Sequence, residues 1–324
     1  MAKKIGRLIN LGLAKESSRG VAVAATNWLP KSNITFSDKV QKAVSQSSYG
    51  TIGEGNQELV ALKWAEGDVE FDLVDKTFGL VALATFGTVS SGAFNSVYKH
   101  TYTLQNDNQH DSLTFWVEDV AESNDIFFEL CMINSLNITA VPEDVVKCTA
   151  NWVGKSSEDT SGLSASYVAE NKFTGRDVSI KIAAATAGLD AASILNIKEL
   201  SIDFSKNVMR DYALSSVQAI DILNQKFEIT GTLTLDLGDD TYKDYMLDGG
   251  YKALRIDIVN ANVTIGSTNP AFRIDLSRVA FDAWEPARPN DEIATQTINF
   301  RAMYDITNGN IINNCYLVNE TASY

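Results

Sequence analysis

Gly67-Asp68-Val69-Glu70-Phe71-Asp72-Leu73-Val74-Asp75 is answered later in the chain by Gly231-Thr232-Leu233-Thr234-Leu235-Asp236-Leu237-Gly238-Asp239, at a shift of 231 − 67 = 164 with four of nine positions identical. In the first segment Val69, Phe71 and Leu73 alternate with Asp68, Glu70 and Asp72; in the second Leu233, Leu235 and Leu237 alternate with Thr232, Thr234 and Asp236. A period of two over this length is the mark of a strand with one buried face. A strand of this kind occurring twice makes internal repetition the first question to ask of the fold.

Upstream, Ile34-Thr35-Phe36-Ser37-Asp38-Lys39-Val40 aligns with Ile202-Asp203-Phe204-Ser205-Lys206-Asn207-Val208 at a shift of 202 − 34 = 168, with four of seven identical. Downstream, residues 145–152 align with residues 293–300 at a shift of 293 − 145 = 148. That pair shares Thr149 with Thr297 and Asn151 with Asn299 and ends on an aromatic in both copies. The shrinking shift implies shorter loops in a second copy. Cys148, Ala150 and Trp152 alternate with Lys147, Thr149 and Asn151, and Ile298 and Phe300 with Thr297 and Asn299, so these too are strands with a polar outer face.

Each Asp-containing strand is followed by a helical stretch. Asp75 is placed to cap residues 76–86, and Asp239 or Asp240 to cap residues 241–247, with Gly249 as the stop. Further strands are expected at 101–104, 113–117, 127–132, 178–182, 254–259, 272–276 and 279–283. The polar, glycine-rich stretch 45–56 reads as a long exposed loop, and 154–166 as the linker. The fold class is therefore mainly β, in two tandem β-sandwich or barrel-like domains with one short α-helix each, 1–160 and 161–324.

The 324 residues suit two domains of ordinary size, and 45% hydrophobic with 21% charged residues excludes disorder. Against 27 Lys and Arg stand 41 Asp and Glu, a formal charge of −14, the wrong sign for holding a phosphate backbone. The longest apolar stretch, 78–86, is far short of the roughly 20 residues that span a bilayer, so no membrane insertion is expected. The start does not read as a secretory signal. Cys131, Cys148 and Cys315 have no metal-type spacing and read as free, buried thiols of a chain made in reducing cytoplasm.

Catalytic chemistry is sought without success. His100 and His110 lie among Asn, Asp and Gln with no Gly-x-Ser-x-Gly elbow, and neither phosphate-binding glycine signature occurs. The run Asp236-Leu237-Gly238-Asp239-Asp240 lacks the spaced ligands of a calcium loop. Glu66, Asp68, Glu70 and Asp72 share one strand face and read as a solvated or channel-facing stripe rather than a catalytic pair. No enzyme, cofactor or metal site is expected.

Glu16-Ser17-Ser18-Arg19-Gly20-Val21-Ala22-Val23-Ala24 with Trp28-Leu29-Pro30, and at the other end Asn290-Asp291-Glu292-Ile293 leading through Thr297 and Phe300 to Met303-Tyr304, resemble the major tail tube proteins of long-tailed bacteriophages. The resemblance implies a virion tail protein, assembled in the host cytoplasm, whose inner sheets join those of neighbours into a barrel, with rings stacked into a tube. Two domains per chain would make three chains a pseudo-sixfold ring, with six chains as the alternative. It implies as partners further copies of itself and the tape measure, tail-tip and tail terminator proteins, with DNA passing through the lumen unbound. Candidates for the lumen wall are Glu70, Asp72, Thr149, Asn151, Asp236, Thr297 and Asn299. Candidates for contact between rings are the loop residues Ser48, Tyr49, Gly50, Gly53 and Gly55, with residues 1–26 and 305–324 as arms. A tail-tip component, a contractile-system tube protein and a carbohydrate-binding β-sandwich are the alternatives.

Overall fold

The computed structural model describes residues 5–53, 55–120 and 125–324. In chain order the first strands are β1 (Ile9–Lys15), β2 (Asn27–Leu29), β3 (Lys31–Ile34), β4 (Ser37–Val44) and β5 (Glu58–Asp72), followed by helix α1 (Phe78–Phe86). Next come β6 (Gly87–Phe94), β7 (Val97–Leu104), β8 (Leu113–Asp119), β9 (Asp125–Ala140), β10 (Lys147–Gly154) and β11 (Glu158–Thr160). The remainder comprises β12 (Val178–Ala183), β13 (Ile197–Ser205), β14 (Met209–Asp211), β15 (Asp221–Leu223) and β16 (Glu228–Asp236), then α2 (Thr241–Leu247). The chain closes with β17 (Lys252–Val259), β18 (Ala271–Ala287), β19 (Thr295–Ala302) and β20 (Asn314–Asn319). The fold is mainly β, with antiparallel ladders throughout and two α-helices.

Two long strands organise the layers. The first part of β9 pairs with β8 and β11, and its second part with β10 and β13. Likewise the first part of β18 pairs with β17 and β20, and its second part with β19. Behind them, β1 adds to β8 and β12 adds to β17. An inner sheet thus runs β3 and β4, β5, β10, β9, β13, β16, β19, β18. The β9–β13 ladder joins the two halves of the chain, and β7 pairing with β20 joins them again in the outer layer. The main hydrophobic core lies between the layers, containing Phe71 and Trp152 together with Phe204, Phe272 and Phe300, with smaller clusters around Met132 and Ile222 and around Val97 and Ile265.

The ladders align the repeated segments residue by residue. Trp152 stands opposite Gly67 and Phe300 opposite Gly231; Asn151 faces Asp68 and Asn299 faces Thr232; Thr149 faces Glu70 and Thr297 faces Thr234. The upstream alignment is corrected by two residues. Ile34 faces Val69, whereas the residue facing Leu233 is Leu200 rather than Ile202, and the bulged Ser32 and Lys198 then coincide as well. The shared Ile-x-Phe-Ser letters drew the sequence alignment away from the hydrogen-bonded register.

Helix α1 is apolar all round because all nine of its residues are buried. Asp75 does not cap it: the carboxylate turns to Asn171, accepting from its backbone N–H at 2.8 Å and its side-chain amide at 2.7 Å. The first turn is capped from a distance instead, by Glu170, which accepts from the backbone N–H and hydroxyl of Thr77. At the other end Lys206 donates to the Ala84 carbonyl at 2.6 Å, and Gly87, at φ +93°, sends its N–H to the Leu83 carbonyl. In α2 Asp239 supplies the cap, accepting from Thr241 N–H at 3.1 Å, and Gly249 at φ +61° ends the helix.

Within the terminal segments, residues 9–15 and 314–319 are sheet members; residues 1–4 fall outside the described residues. β1 is bonded to β2 and β8, and β20 lies between β18 and β7. The Tyr324 ring packs against His100 with centroids 4.6 Å apart, over the space left by Gly79. Leu11 and Leu13, and Cys315 and Leu317, are the buried alternating positions that make strands of these stretches. Residues 161–174 run back along the first half: Leu163 N–H bonds to Asp125 and Ala165 N–H to Glu118.

Gly67 and Gly231 are required by close approach. A Cβ at Gly67 would lie 2.6 Å from the Phe36 backbone, and at Gly231 2.5 Å from the Ser201 carbonyl oxygen. Gly67→Ala and Gly231→Ala should each cost about 1–3 kcal/mol in urea unfolding. Gly92→Ala, where nothing lies within 4 Å of the added carbon, should be neutral or gain up to about 1 kcal/mol.

Candidate functional site: a polar face shared by both halves

Residues directly opposite in an antiparallel ladder project to the same side of the sheet. One row of the inner sheet reads Glu70, Thr149, Asn137, Asp203, Thr230, Arg301. The next reads Asp72, Lys147, Thr139, Ser201, Thr232, Asn299. Flanking rows contain Asp68 with Asn151 and Ser135, Glu199 with Thr234, Thr297 and Glu285, and Asp236 with Thr295. Glu70, Asp72, Thr149, Asn151, Asp236, Thr297 and Asn299 therefore all lie on one face, and none of them is buried. The opposite face supplies the core through Val69, Phe71, Ala150, Leu136, Ile202, Leu233 and Ile298.

Strands β9 and β13 were underread from sequence. The strand expected at 127–132 continues to Ala140, and Ser135, Asn137 and Thr139 bridge the two halves of the polar face. Their alternation with buried Leu136 and Ile138 is the signal that would have found them.

The chemistry of this face is uncharged hydroxyls and amides interspersed with carboxylates. Asn137 Nδ2 donates to Ser201 Oγ at 3.1 Å, the Thr234 and Thr297 hydroxyls are 3.3 Å apart, and Asn151 donates to Asp68 at 2.7 Å. Its cations are matched: Lys198 lies 3.4 Å from Asp236, Arg301 lies 3.4 Å from Asp282, and Lys147 pairs with Asp144. Asp72 is held by Lys172 at 2.6 Å. Glu70, Glu199, Asp203 and Glu285 make no ion pair among the described residues. Partial burial holds the Asp203 carboxyl above its ordinary range.

The loop candidates Ser48, Tyr49, Gly50 and Gly53 are exposed and Gly55 is partly so; Glu54 falls outside the described residues. They form the tip of a hairpin arm made by β4 and the start of β5. Every residue of β4 is exposed, and the arm displays Val40, Val44, Leu59 and Val60 to solvent.

Neither histidine has a catalytic setting. His100 is buried between Ser91 Oγ at 2.8 Å and Asn319 Oδ1 at 2.9 Å, and burial lowers its pKa. His110 bonds to the Gln105 carbonyl at 2.8 Å, and burial together with nearby Lys206 pulls its pKa down to about 4. All three cysteines are buried, with thiol pKa values pushed up by desolvation. Tryptophans form no exposed row: Arg210 covers Trp64 at 4.4 Å, Trp116 stacks on Phe127 at 4.9 Å, and Trp152 is buried. Among the described residues no helix is long and apolar enough to cross a membrane, and no group of three or more His, Cys, Asp or Glu is placed to hold a metal ion.

A family model described as phage tail tube protein matches residues 6–302. The chain belongs to the phage tail tube protein family. The tail tube protein is a structural component of the virion tail that self-assembles into a tube, and its family is not one of enzymes. A search of curated proteins found no significant match.

Lys206, which borders a cleft of about 370 Å³ with His110 and Asn224, is almost wholly buried, and desolvation with nearby Arg19 pulls its pKa down to about 7. In the unfolded chain the amine holds its proton to about pH 10. Folding therefore releases a proton between these values, and stability should rise with pH across that window. The gain from pH 7 to pH 9 should be on the order of 2 kcal/mol greater in the natural protein than in Lys206→Met, read by urea unfolding at both pH values.

Proposed function

We propose that the polar face of the inner sheet lines the bore of the tail tube and conducts DNA during delivery to the host. The observation carrying this reading is that one unbroken face, crossing both halves through β9 and β13, is built of hydroxyls, amides and carboxylates while its reverse is core. Carboxylates without partner cations repel phosphates, and short neutral side chains offer nothing that grips a polyanion. Glu70, Thr149, Asn151, Asp236, Thr297 and Asn299 take this role together with Asn137, Asp203 and Glu199. Asp72 and Asp236 contribute less charge, theirs being balanced by Lys172 and Lys198.

We further infer that the chain is a tandem duplication of one tube domain. β1, β3 with β4, β5, α1, β8, β9, β10 and β11 correspond in order and pairing to β12, β13, β16, α2, β17, β18, β19 and β20. The boundary lies near residue 160. Three such chains would then make a pseudo-sixfold ring, assembled in the host cytoplasm and joined in the tail by the tape measure, tip and terminator proteins. The hairpin arm, with Val40, Val44, Leu59 and Val60 uncovered, is the segment that reaches the next ring.

Electron microscopy of concentrated protein tests the assembly. Averaged tube sections should show three chains per ring; six complete chains would overturn the duplicated ring and leave the tube. Charge reversal at Glu70 and Glu199 to lysine should leave tubes intact and lower DNA delivery by assembled virions about tenfold or more. Undiminished delivery would remove this face from the bore. Replacing residues 46–56 with an Asn-Gly turn should leave stability within about 0.5 kcal/mol, since the arm buries almost nothing, and abolish tube growth. Tubes growing at the normal rate would exclude the arm from stacking.

A further inference from the structure

The cleft beside Lys206 lies on the seam between the two halves of the chain, and no residue of the polar face borders it. One wall is the segment that follows β7, with Leu104, Asp107 and His110; the other is the segment that precedes β16, with Asn224 and Phe227. The Asn224 N–H donates to the Asn108 carbonyl at 2.8 Å and ties the two walls together. Its volume of about 370 Å³ is that of a pocket for a small molecule.

Two groups in this cleft have capacity that the fold does not use. Lys206 is 1% exposed, and its amine donates to the Ala84 carbonyl at 2.6 Å in the last turn of α1, a bond that needs only one of its N–H groups. Asn224 Nδ2 donates to the Asp107 carbonyl, which leaves Asn224 Oδ1 as a buried acceptor with no hydrogen-bond partner among the described residues. A hydroxyl arriving in the cleft would satisfy that oxygen. The charged groups acting on the amine are Arg19, which opposes its protonation, and Asp111, which favours it. Burial and Arg19 prevail, and with a pKa pulled down to about 7 the amine is half unprotonated at neutral pH. His110 beside it is neutral there and adds no competing charge.

We propose that the cleft is a covalent binding site in which Lys206 Nζ condenses with a small uncharged hydroxyaldehyde, a hydroxyl of which donates to Asn224 Oδ1. The nitrogen lone pair attacks the carbonyl carbon, the carbinolamine loses water, and a C=N bond replaces the C=O bond. One proton is taken up from solvent to give the iminium, and nothing is oxidised or reduced. The iminium retains one N–H, as the Ala84 bond requires, and it retains the positive charge that the carbonyl end of α1 favours. Carbon dioxide or an acyl donor would instead set a negative charge, or none, against that carbonyl, so an aldehyde is the electrophile that fits. The Asp107 carboxylate on the wall and the net charge of −14 select against an anionic aldehyde. Leu104 and Phe227 supply the apolar surface against which a short carbon chain packs.

The test is reductive trapping on the folded chain. Glyceraldehyde and cyanoborohydride are added at pH 7, where the iminium is reduced to a stable secondary amine, and the modified lysines are read by peptide mass spectrometry. The exposed Lys147 serves as the internal reference. An ordinary lysine is unprotonated in roughly one molecule in 2,500 at this pH. Lys206, less basic and shielded by its burial, should still be modified at least tenfold faster than Lys147, and the preference should vanish in urea. Its rate should level off above about pH 7 while that of Lys147 continues to rise. Propanal, of the same chain length without hydroxyls, should react at Lys206 severalfold more slowly once each rate is divided by that at Lys147. Asn224→Ala should remove this difference and leave the propanal rate unchanged. Lys206 remaining unmodified, or reacting no faster than Lys147, overturns the site. Equal normalised rates for the two aldehydes, or a hydroxyl preference that survives Asn224→Ala, overturn the ligand assigned to it.

Discussion

The ladder between residues 135–140 of β9 and 200–205 of β13 is the constraint on which the rest of the structure depends. It makes one sheet of two half-chains and so puts their polar faces on one surface and their apolar faces in one core. A one-residue slip of β9 would turn Leu136 and Ile138 out to solvent and bring Asn137 inside, and a slip of β13 would do the same with Ile202, Phe204 and Asp203. The register is therefore held, whichever strand slips, by the transfer of two large apolar side chains, each worth about 1.5–3 kcal/mol, rather than by hydrogen bonds that water would replace.

That ladder requires β9 to leave the outer layer and enter the inner one, and the turn of direction is paid for by Glu16. Leu130 sits in the left-handed region at φ +53°, which an L-residue adopts at a cost of about 1–2 kcal/mol. Its N–H is taken by Glu16 Oε1 at 2.7 Å, and the same buried carboxylate accepts from Gly20 N–H at 2.6 Å, Ser112 Oγ at 2.5 Å and Thr114 Oγ1 at 3.2 Å. Nearby, Arg19 ties the N-terminal segment to the second half through Asp221 at 2.6 Å and the Ile222 carbonyl at 2.7 Å. The stretch Glu16 to Gly20 is thus polar because it fastens a crossing strand, not because it is a loop.

Much of the fold was legible wherever a strand keeps one face in water. Val69, Phe71 and their partners at 233 and 235 announce themselves by alternation, and so do Thr149, Asn151, Thr297 and Asn299. Less legible was anything settled by distant groups. The Glu170 cap on α1 comes from a segment 93 residues away, and the nearer Asp75 is drawn off by Asn171. β1 and β20 carry patterns only seven and six residues long, so little in the local sequence distinguishes a sheet member from an arm. On the polar face the residue types were readable, but which carboxylates keep an unbalanced charge was not. Lys172 reaches Asp72 across 100 residues, and Lys198 finds Asp236 through a bulge.

The two halves differ most where no rung constrains them. α1 is covered by the β6–β7 hairpin, which has no counterpart after α2, and α2 accordingly leaves Leu247 exposed. Between β4 and β5 the first half extends a long arm, while the second half places there the short β14–β15 hairpin, folded back so that Arg210 meets Glu66 at 3.2 Å and Lys63 N–H bonds to the Val217 carbonyl. On the proposed duplication, a ring of identical single domains would carry equal arms at every position, whereas two domains joined in one chain would let alternate positions diverge, one reaching outward and the next bracing its base, while the inner sheet would keep the repeated rungs that a closed wall demands. Divergence outside and repetition inside is the pattern expected if selection acts on a smooth bore and leaves the exterior free to specialise.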